Sequence, residues 1–244
     1  MINNFNEFHL NTGEQNKTIR KKNFTYRYLI QTIENYISKG DQVLDIGCGS
    51  GTIDFYLSKF ETKILGVDIS SKAISRCQKS SKILKLDELC KFTQVDLSSN
   101  FPLGKYDLIL CLEVLEHIPN ETILLTNIYK SLKKNGKLIL SVPSIKSPLY
   151  KLGLTKNHDK KVGHLRRYSK ESLIKLLIEY RFKIIKIEKR EGFIRNFLFI
   201  FNTKLTNLII KIFNKVEILS DIMVMLDNIF ILFGESQIIV VVGK

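Results

Sequence analysis

Cysteine is scarce and scattered in this sequence of 244 residues: Cys48, Cys77, Cys90 and Cys111, with no Cys-x-x-Cys pair and no second cluster at zinc-ligand spacing. That excludes a structural zinc module and a disulfide-stapled scaffold. Free, reduced thiols are expected, as in cytoplasmic proteins. Long apolar runs are missing too: no uncharged stretch reaches the ~18 residues that a membrane-spanning helix requires. The opening MINNFNEFHLNTGEQNKT has no basic segment followed by an apolar one, so no secretory leader is expected. Internal repeats and low-complexity tracts are absent. Acidic residues are few, 24 against 38 lysines and arginines, for a net charge of +14. The excess favours anionic partners: nucleic acid, a membrane surface or phosphorylated molecules. Part of it follows the general Ile, Lys and Asn bias of the chain.

What is present suffices for a core, since 44% of the residues are hydrophobic. Strand and helix patterns alternate up to Pro143. QVLDI, KILGVDI, KFTQVDL, YDLILCLEVL and KLILSVP read as strands. The intervening TIDFYLSKF, SKAISRCQKSSKIL and NETILLTNIYKSLKKNG read as helices, the last ending at Gly136. The strands are continuous apolar runs, the mark of a parallel sheet covered on both faces, and right-handed crossovers make it doubly wound. Ahead of the sheet, Tyr26, Leu29, Ile30, Ile33 and Ile37 form one helical stripe that Gly40 ends. Beyond Pro143 come a loop-like stretch over 144–167, a helix capped by Ser169, a strand KIIKIEKRE, two apolar helices over 193–216 and 221–234, and a last strand SQIIVVVGK. The organisation is therefore an N-terminal helical segment (1–40), a core (41–145) and an extension of the same domain (146–244).

Three glycines stand in five residues after the first strand: Gly47-Cys48-Gly49-Ser50-Gly51. Glycine at such a turn lets backbone approach a ligand beyond the carboxyl ends of the strands. Asp68 ends the next strand 21 residues after Gly47, the spacing of a ribose-binding carboxylate. The turn is GxGxG, not GxGxxG, and Asp45 precedes it. An acid there repels a pyrophosphate and welcomes a cationic group, pointing to the amino-acid end of S-adenosylmethionine.

With these residues in place the sequence resembles the class I S-adenosylmethionine-dependent methyltransferases. VLDIGCGSG, LGVDIS, FTQVDL, YDLILCLEVLEHIP and LKKNGKLILSVP are similar to five successive motifs of that family, over about residues 25–145. The resemblance implies an α/β, Rossmann-like, seven-stranded sheet: six parallel strands, an antiparallel last strand beside strands five and six, and C-terminal helical additions. It implies that Asp45, Gly47, Cys48, Gly49 and Gly51 surround the amino-acid tail of S-adenosyl-L-methionine, that Asp68 holds the ribose, that Ile69, Asp96 and Leu97 hold the adenine, and that Leu112 passes beneath the methionine part. Cys48 reads as a packing residue rather than a nucleophile.

Methyl transfer is an in-line displacement that depends on alignment and, for a hydroxyl acceptor, on a base. Glu113, Glu116 and His117, at the end of the fourth strand, are the catalytic candidates. The same Glu-x-x-Glu-His segment resembles that of ubiquinone-pathway O-methyltransferases, where it is implicated in divalent metal binding; base, pocket lining, helix cap and metal ligand all stay open. A D/N-P-P-Y/F/W segment and a Pro-Cys nucleophile are both absent, which places nucleic acid behind small molecules as a substrate.

In NHDKKVGHLRRYS, His158, His164, Arg166, Arg167 and Tyr168 form a candidate lid for an anionic head group. The stretch is similar to one in methyltransferases of polyprenyl-linked and cell-surface glycan pathways. Further on, Phe193, Phe197, Phe201, Leu205, Leu208 and Ile212 make an apolar stripe, with Arg195, Lys204, Lys211 and Lys215 on a basic face. That composition suits an anionic membrane surface, a cover on the sheet, or a dimer face. The expectation is a cytoplasmic enzyme, with peripheral attachment to the inner membrane face left open. Its reaction would be O-methylation of a small or lipid-linked acceptor. An RNA methyltransferase and a non-catalytic, cofactor-binding membrane adaptor are the alternatives.

Overall fold

The computed structural model describes residues 13–97, 99–102, 104–201 and 203–244. Residues 1–12 of the N-terminal segment lie outside them. Seven strands form one sheet: β1 (Gln42–Ile46), β2 (Lys63–Asp68), β3 (Cys90–Gln94), β4 (Tyr106–Leu112), β5 (Leu132–Pro143), β6 (Lys183–Arg190) and β7 (Gln237–Gly243). Their order is β3-β2-β1-β4-β5-β7-β6. Only β7 runs antiparallel, wedged between β5 and β6. Strand order reverses between β1 and β4, the switch point where an open sheet leaves a crevice beyond its carboxyl edge.

Side chains alternate across the sheet, so each strand feeds two cores. Val43, Leu108, Leu110, Ile139, Ile239 and Val241 pack on one face. That face is covered by α1 (Arg27–Glu34), α2 (Thr52–Leu57) and α3 (Ser71–Ile83). Leu44, Ile109, Cys111, Leu138, Leu140 and Val240 pack on the other, against α4 (Glu121–Ser131) and α7 (Lys170–Glu179). Ser169 caps α7 in a reciprocal capping box with Ser172. All four cysteines are free and buried.

The structure departs from the sequence pattern in three places. The helix before β5 stops at Ser131 instead of Gly136, because Leu132 already pairs with Tyr106 at the start of a longer, bulged strand. Gly136 serves that bulge: a Cβ there would stand 2.8 Å from the Tyr106 carbonyl oxygen. The loop-like stretch 144–167 holds two short helices, α5 (Pro148–Lys151) and α6 (Lys156–Val162). The long helix expected over 193–216 is broken into α8 (Phe193–Ile200) and α9 (Lys204–Lys215), and α10 (Glu217–Phe230) follows at once. Thr203 makes a capping box with Thr206, which satisfies the backbone of a new helix start within that sequence.

The segment at α1 is joined to the C-terminal helices. Arg27 donates to Ser220 at 3.0 Å and pairs with Asp221 at 2.5 Å. Phe24 N–H donates to Asn214 at 2.8 Å, and Tyr28 OH to Asn228 at 2.8 Å. Arg195, placed by its sequence position on a basic outer face, is instead fully buried. Its guanidinium reaches the carbonyls of Phe24 and Thr25 and lies over the rings of Phe24, Tyr28 and Phe199.

Candidate active site

Register places the carboxyl ends of the central strands side by side. Ile46 is level with Val67 on one side and Cys111 on the other, so Gly47, Asp68 and Leu112 emerge together. The turn after β1 is tied down by N–H bonds from Gly47 and Cys48 to the Val67 carbonyl, at 2.7 and 3.0 Å. Gly49 N–H donates to Asp68 Oδ2 at 3.0 Å, and Ser70 N–H to Asp68 Oδ1 at 2.8 Å. Gly47, Gly49 and Gly51 all have positive φ. At Gly47 a Cβ would come within 2.4 Å of Val114 Cγ2, so neither the conformation nor the space admits a side chain. Asp45 and Cys48 are buried beneath this turn, while Ile69, Asp96 and Leu112 are half-buried at the rim and Leu97 is buried beside Asp96. The expected cofactor residues are thus gathered along one edge.

Asp54 was not expected there. It is fully buried on α2, and neither of its carboxyl oxygens has a hydrogen-bond donor among the described residues. Its neighbour is Asp45. Burial raises the Asp45 carboxyl well above the usual range, and the adjacent Asp54 charge adds to the effect. Burial raises Asp54 as well. Burial of two neighbouring carboxyls favours the protonated form of each. Only a weak sequence signal existed, an acid in an otherwise apolar first helical turn.

Beyond β4 the backbone is unusual. Glu113 is a non-glycine residue with φ +55°, a strained conformation that its surroundings enforce. Its N–H donates to the Ser141 carbonyl at 3.0 Å, and its carboxylate accepts from Ser141 Oγ at 2.8 Å and Gln237 Nε2 at 3.0 Å. Glu113 is therefore pinned by β5 and β7. Glu116 is fully buried, and neither oxygen has a hydrogen bond. Burial, then the nearby Glu113 charge, raise its carboxyl well above the usual range.

Two imidazoles face Glu116. His117 Nδ1 lies 3.1 Å from the Gly163 carbonyl oxygen, which places the proton on Nδ1 and leaves Nε2 with its lone pair. Burial, reinforced by His164, lowers His117 to about 4, so the ring is neutral at physiological pH. His164 Nδ1 lies 3.0 Å from Asp159 Oδ1, and its Nε2 is 3.7 Å from Glu116 Oε1. The rings of His117 and His164 are 4.9 Å apart. One donor atom from each of Glu116, His117 and His164 lies within 4.8 Å of the others, a set of two imidazoles and a carboxyl able to hold a divalent cation. In this set His164 stands in place of Glu113, whose carboxylate Ser141 and Gln237 engage.

The lid residues are arranged differently from the expectation. Arg167 forks onto Asp159 through Nε (3.0 Å) and Nη2 (2.5 Å). Arg166 binds Glu121 and the carbonyls of Ile118 and Pro119, all within 3.1 Å. Tyr168 OH donates to Glu121 at 2.6 Å. Both guanidinium groups are committed within the protein, and with Leu165 N–H on the Glu116 carbonyl they fasten the lid to the segment that carries His117. His158 is half-buried, its ring 6.2 Å from that of His164. Asp159, absent from the expected site, is the centre of this bracing. Burial pushes its carboxyl up, but the bonds from His164 and Arg167 prevail and hold it far below the usual range. Arg167→Ala is expected to destabilise the protein by about 3 kcal/mol, because a buried pair loses one partner. Arg167→Lys should recover only part, since an ammonium cannot reproduce the fork. Denaturant titration of the two variants checks this.

A doubly wound sheet with a bare glycine turn at its switch point, an acid at the end of each of the first two strands and polar side chains beyond the fourth defines a Rossmann-like domain of the methyltransferase type. The chain belongs to the methyltransferase-domain family, whose model matches residues 37–190. It is 30% identical over 113 residues to the ubiquinone biosynthesis O-methyltransferase of Coxiella burnetii, covering 46% of this chain and 48% of the relative. Against phosphoethanolamine N-methyltransferase 1 of Arabidopsis thaliana the identity is 29% over 119 residues, 46% of this chain and 24% of the relative. The chain therefore spans about half the length of the curated relatives it matches, or less. A solved S-adenosylmethionine-dependent methyltransferase from Methanosarcina mazei has the same fold, with TM-score 0.59 and 18% identity over 87% of this chain and 96% of that one.

Proposed function

We propose that this protein is an S-adenosyl-L-methionine-dependent methyltransferase that methylates a hydroxyl group on a small or lipid-linked acceptor. The observation that carries the reading is the neutral His117, with Nδ1 tied to the Gly163 carbonyl and Nε2 unprotonated, on the same sheet edge as the glycine turn. The cofactor, when bound, supplies an electrophilic methyl on a sulfonium. Its cationic amino-acid end suits the Asp45–Asp54 pair, its ribose suits Asp68, and its adenine suits the half-open shelf of Ile69, Asp96 and Leu97. His117 is suited to take the acceptor's proton as the oxygen attacks, and Glu116 and His164 set the polarity around it. The braced lid holds His117 in place through the Gly163 carbonyl.

Binding of S-adenosylmethionine, or of the product S-adenosylhomocysteine, is expected to release a proton at neutral pH. Burial favours the protonated forms of Asp45 and Asp54 in the free protein, and a cation beside them favours the ionised ones. Affinity should therefore rise with pH wherever the free pair is protonated and the bound pair is not. Calorimetric titration in buffers of different ionisation enthalpy measures the release. Equal apparent enthalpies would mean that the ammonium does not meet this pair.

The acceptor is tested with methyl-labelled cofactor and a lysate of the source cells. Label in the organic phase supports a lipid-linked acceptor, and RNase-resistant aqueous label a small soluble one. RNase-sensitive label would replace this reading with RNA methylation. Cofactor binding without any transfer would leave a non-catalytic binding protein.

A further inference from the structure

The helical layer α8–α10 mixes polar and apolar side chains on its inner face and is largely apolar on its outer one. On α10, Ser220 and Asp227 point inward with Val224, and Asp227 accepts N–H bonds from Gly192 and Arg195 at 2.9 and 3.0 Å. The outward residues Ile218, Ile222, Met225 and Ile229 follow each other at helical spacing and are 73%, 48%, 61% and 54% exposed. On α8 the buried residues are Arg195, Asn196 and Leu198, while Phe197 faces out, as does Phe201 just past its end. A helix that only covered a core would present a polar outer face. The apolar surface is continuous. Ring centroids run from Phe201 to Phe197, Phe193, Phe230 and Phe233 in steps of 4.6, 6.2, 6.2 and 6.1 Å, linking α8 to α10.

Charge decides what covers this face. On α9, Ile209, Ile210 and Phe213 pack inward. Lys204, Lys211 and Lys215 share an exposed stripe with Leu208, and none of the three lysines forms an ion pair with a described residue. The acids nearest to them in sequence, Glu217 and Asp221, pair with Arg20, Lys22 and Arg27. A second copy seated on this face by the same face would therefore bring lysines against lysines, with Glu217 and Asp221 already paired within each chain. Lipid phosphates supply the missing charge, and lysine stems lie along apolar surface while their heads reach headgroup level. No helix among the described residues is long and apolar enough to cross a membrane, so the contact is interfacial. The layer begins at Gly192, just past the carboxyl-edge end of β6, and Gly234 after α10 packs on the Lys146 carbonyl at the root of the lid. The active-site mouth thus lies beside the same surface.

We infer that the outer faces of α8, α9 and α10 seat the protein on an anionic lipid bilayer, lying in the interface. This goes beyond the methyl-transfer reading and does not depend on it, because lipid binding is measured without cofactor or acceptor. The test is sedimentation of the full chain with vesicles of phosphatidylcholine alone or with 30 mol% phosphatidylglycerol (about one-third anionic, enough to give the surface a negative potential). Binding to the anionic vesicles is expected, weakened by salt and at least tenfold poorer to the neutral ones. Ile222→Asp combined with Met225→Asp should reduce it more than tenfold. Each of Lys204, Lys211 and Lys215 changed to Gln should reduce it about fivefold. Ile83→Asp, an exposed apolar position on α3, should leave it unchanged. All the changed side chains are exposed, and unchanged melting curves would confirm that the variants fold. Absence of binding to anionic vesicles would overturn the inference. So would a dimer in light scattering that Ile222→Asp dissociates while vesicle binding is absent; the face would then be a self-association surface.

Discussion

Gly47→Ala is expected to abolish measurable cofactor binding and to lower the unfolding temperature by roughly 4–20 °C. Two costs combine. A side chain at φ +72° carries a left-handed penalty of about 1–2 kcal/mol. The new methyl also meets Val114 Cγ2 at 2.4 Å, an overpacking of about 1–3 kcal/mol. Each kcal/mol shifts the melting temperature of a domain this size by about 2–4 °C. Adding Val114→Ala removes the collision but not the backbone penalty, so the double variant should regain part of the stability. It should still bind cofactor poorly, because the turn is displaced. Calorimetric melting and S-adenosylhomocysteine titration separate the two costs. Wild-type affinity in Gly47→Ala would remove this turn from the cofactor site.

His117→Ala should leave cofactor affinity unchanged and reduce the rate of label transfer to the acceptor pool by about 10²–10⁴-fold, the usual contribution of a positioned base. The expectation rests on a ring that is neutral because burial lowers it to about 4. Its unprotonated form is lost only as pH falls through that value, so the acid limb of the rate profile should lie near 4 and not near 6.5. A chelator distinguishes two uses of the same nitrogen. If Nε2 takes the proton directly, EDTA leaves the wild-type rate intact. If Glu116, His117 and His164 act by holding a cation, EDTA reproduces the variant's loss and added divalent metal restores it. Unchanged turnover in His117→Ala would exclude both.

Much of this was legible in the chain because it depends on neighbours in sequence. Continuous apolar strands separated by helical stripes specify a buried parallel sheet, since each strand must hide both faces. Three glycines directly after a strand specify a turn that tolerates no side chain, and the spacing from Gly47 to Asp68 follows from one crossover. The position of His117, Glu113 and Glu116 at the crevice follows from their place at the end of β4. By itself, then, the sequence determined the sheet, its switch point and the edge on which chemistry takes place.

The tertiary structure decided which of the polar residues remain available, since that depends on partners far away in the chain. Arg166 and Arg167 read locally as an anion clamp, but Glu121 and Asp159 meet them first. Glu113 is held by Gln237, 124 residues away. Asp54 becomes a buried neighbour of Asp45 only because α2 folds back under the β1 turn. Orientation was likewise beyond local pattern. The apolar stripe of 193–216 reads equally as a membrane face, a cover on the sheet or a dimer face; the inward bonds of Arg195 and Asp227 leave Phe197, Phe201, Leu205 and Leu208 outside, because buried charge must be satisfied wherever its partners lie. What remains outside is a hydrocarbon surface bordered by lysines: the stripe of α8 and α9 was legible in the sequence, but its continuation across α10 was set by how the helices pack.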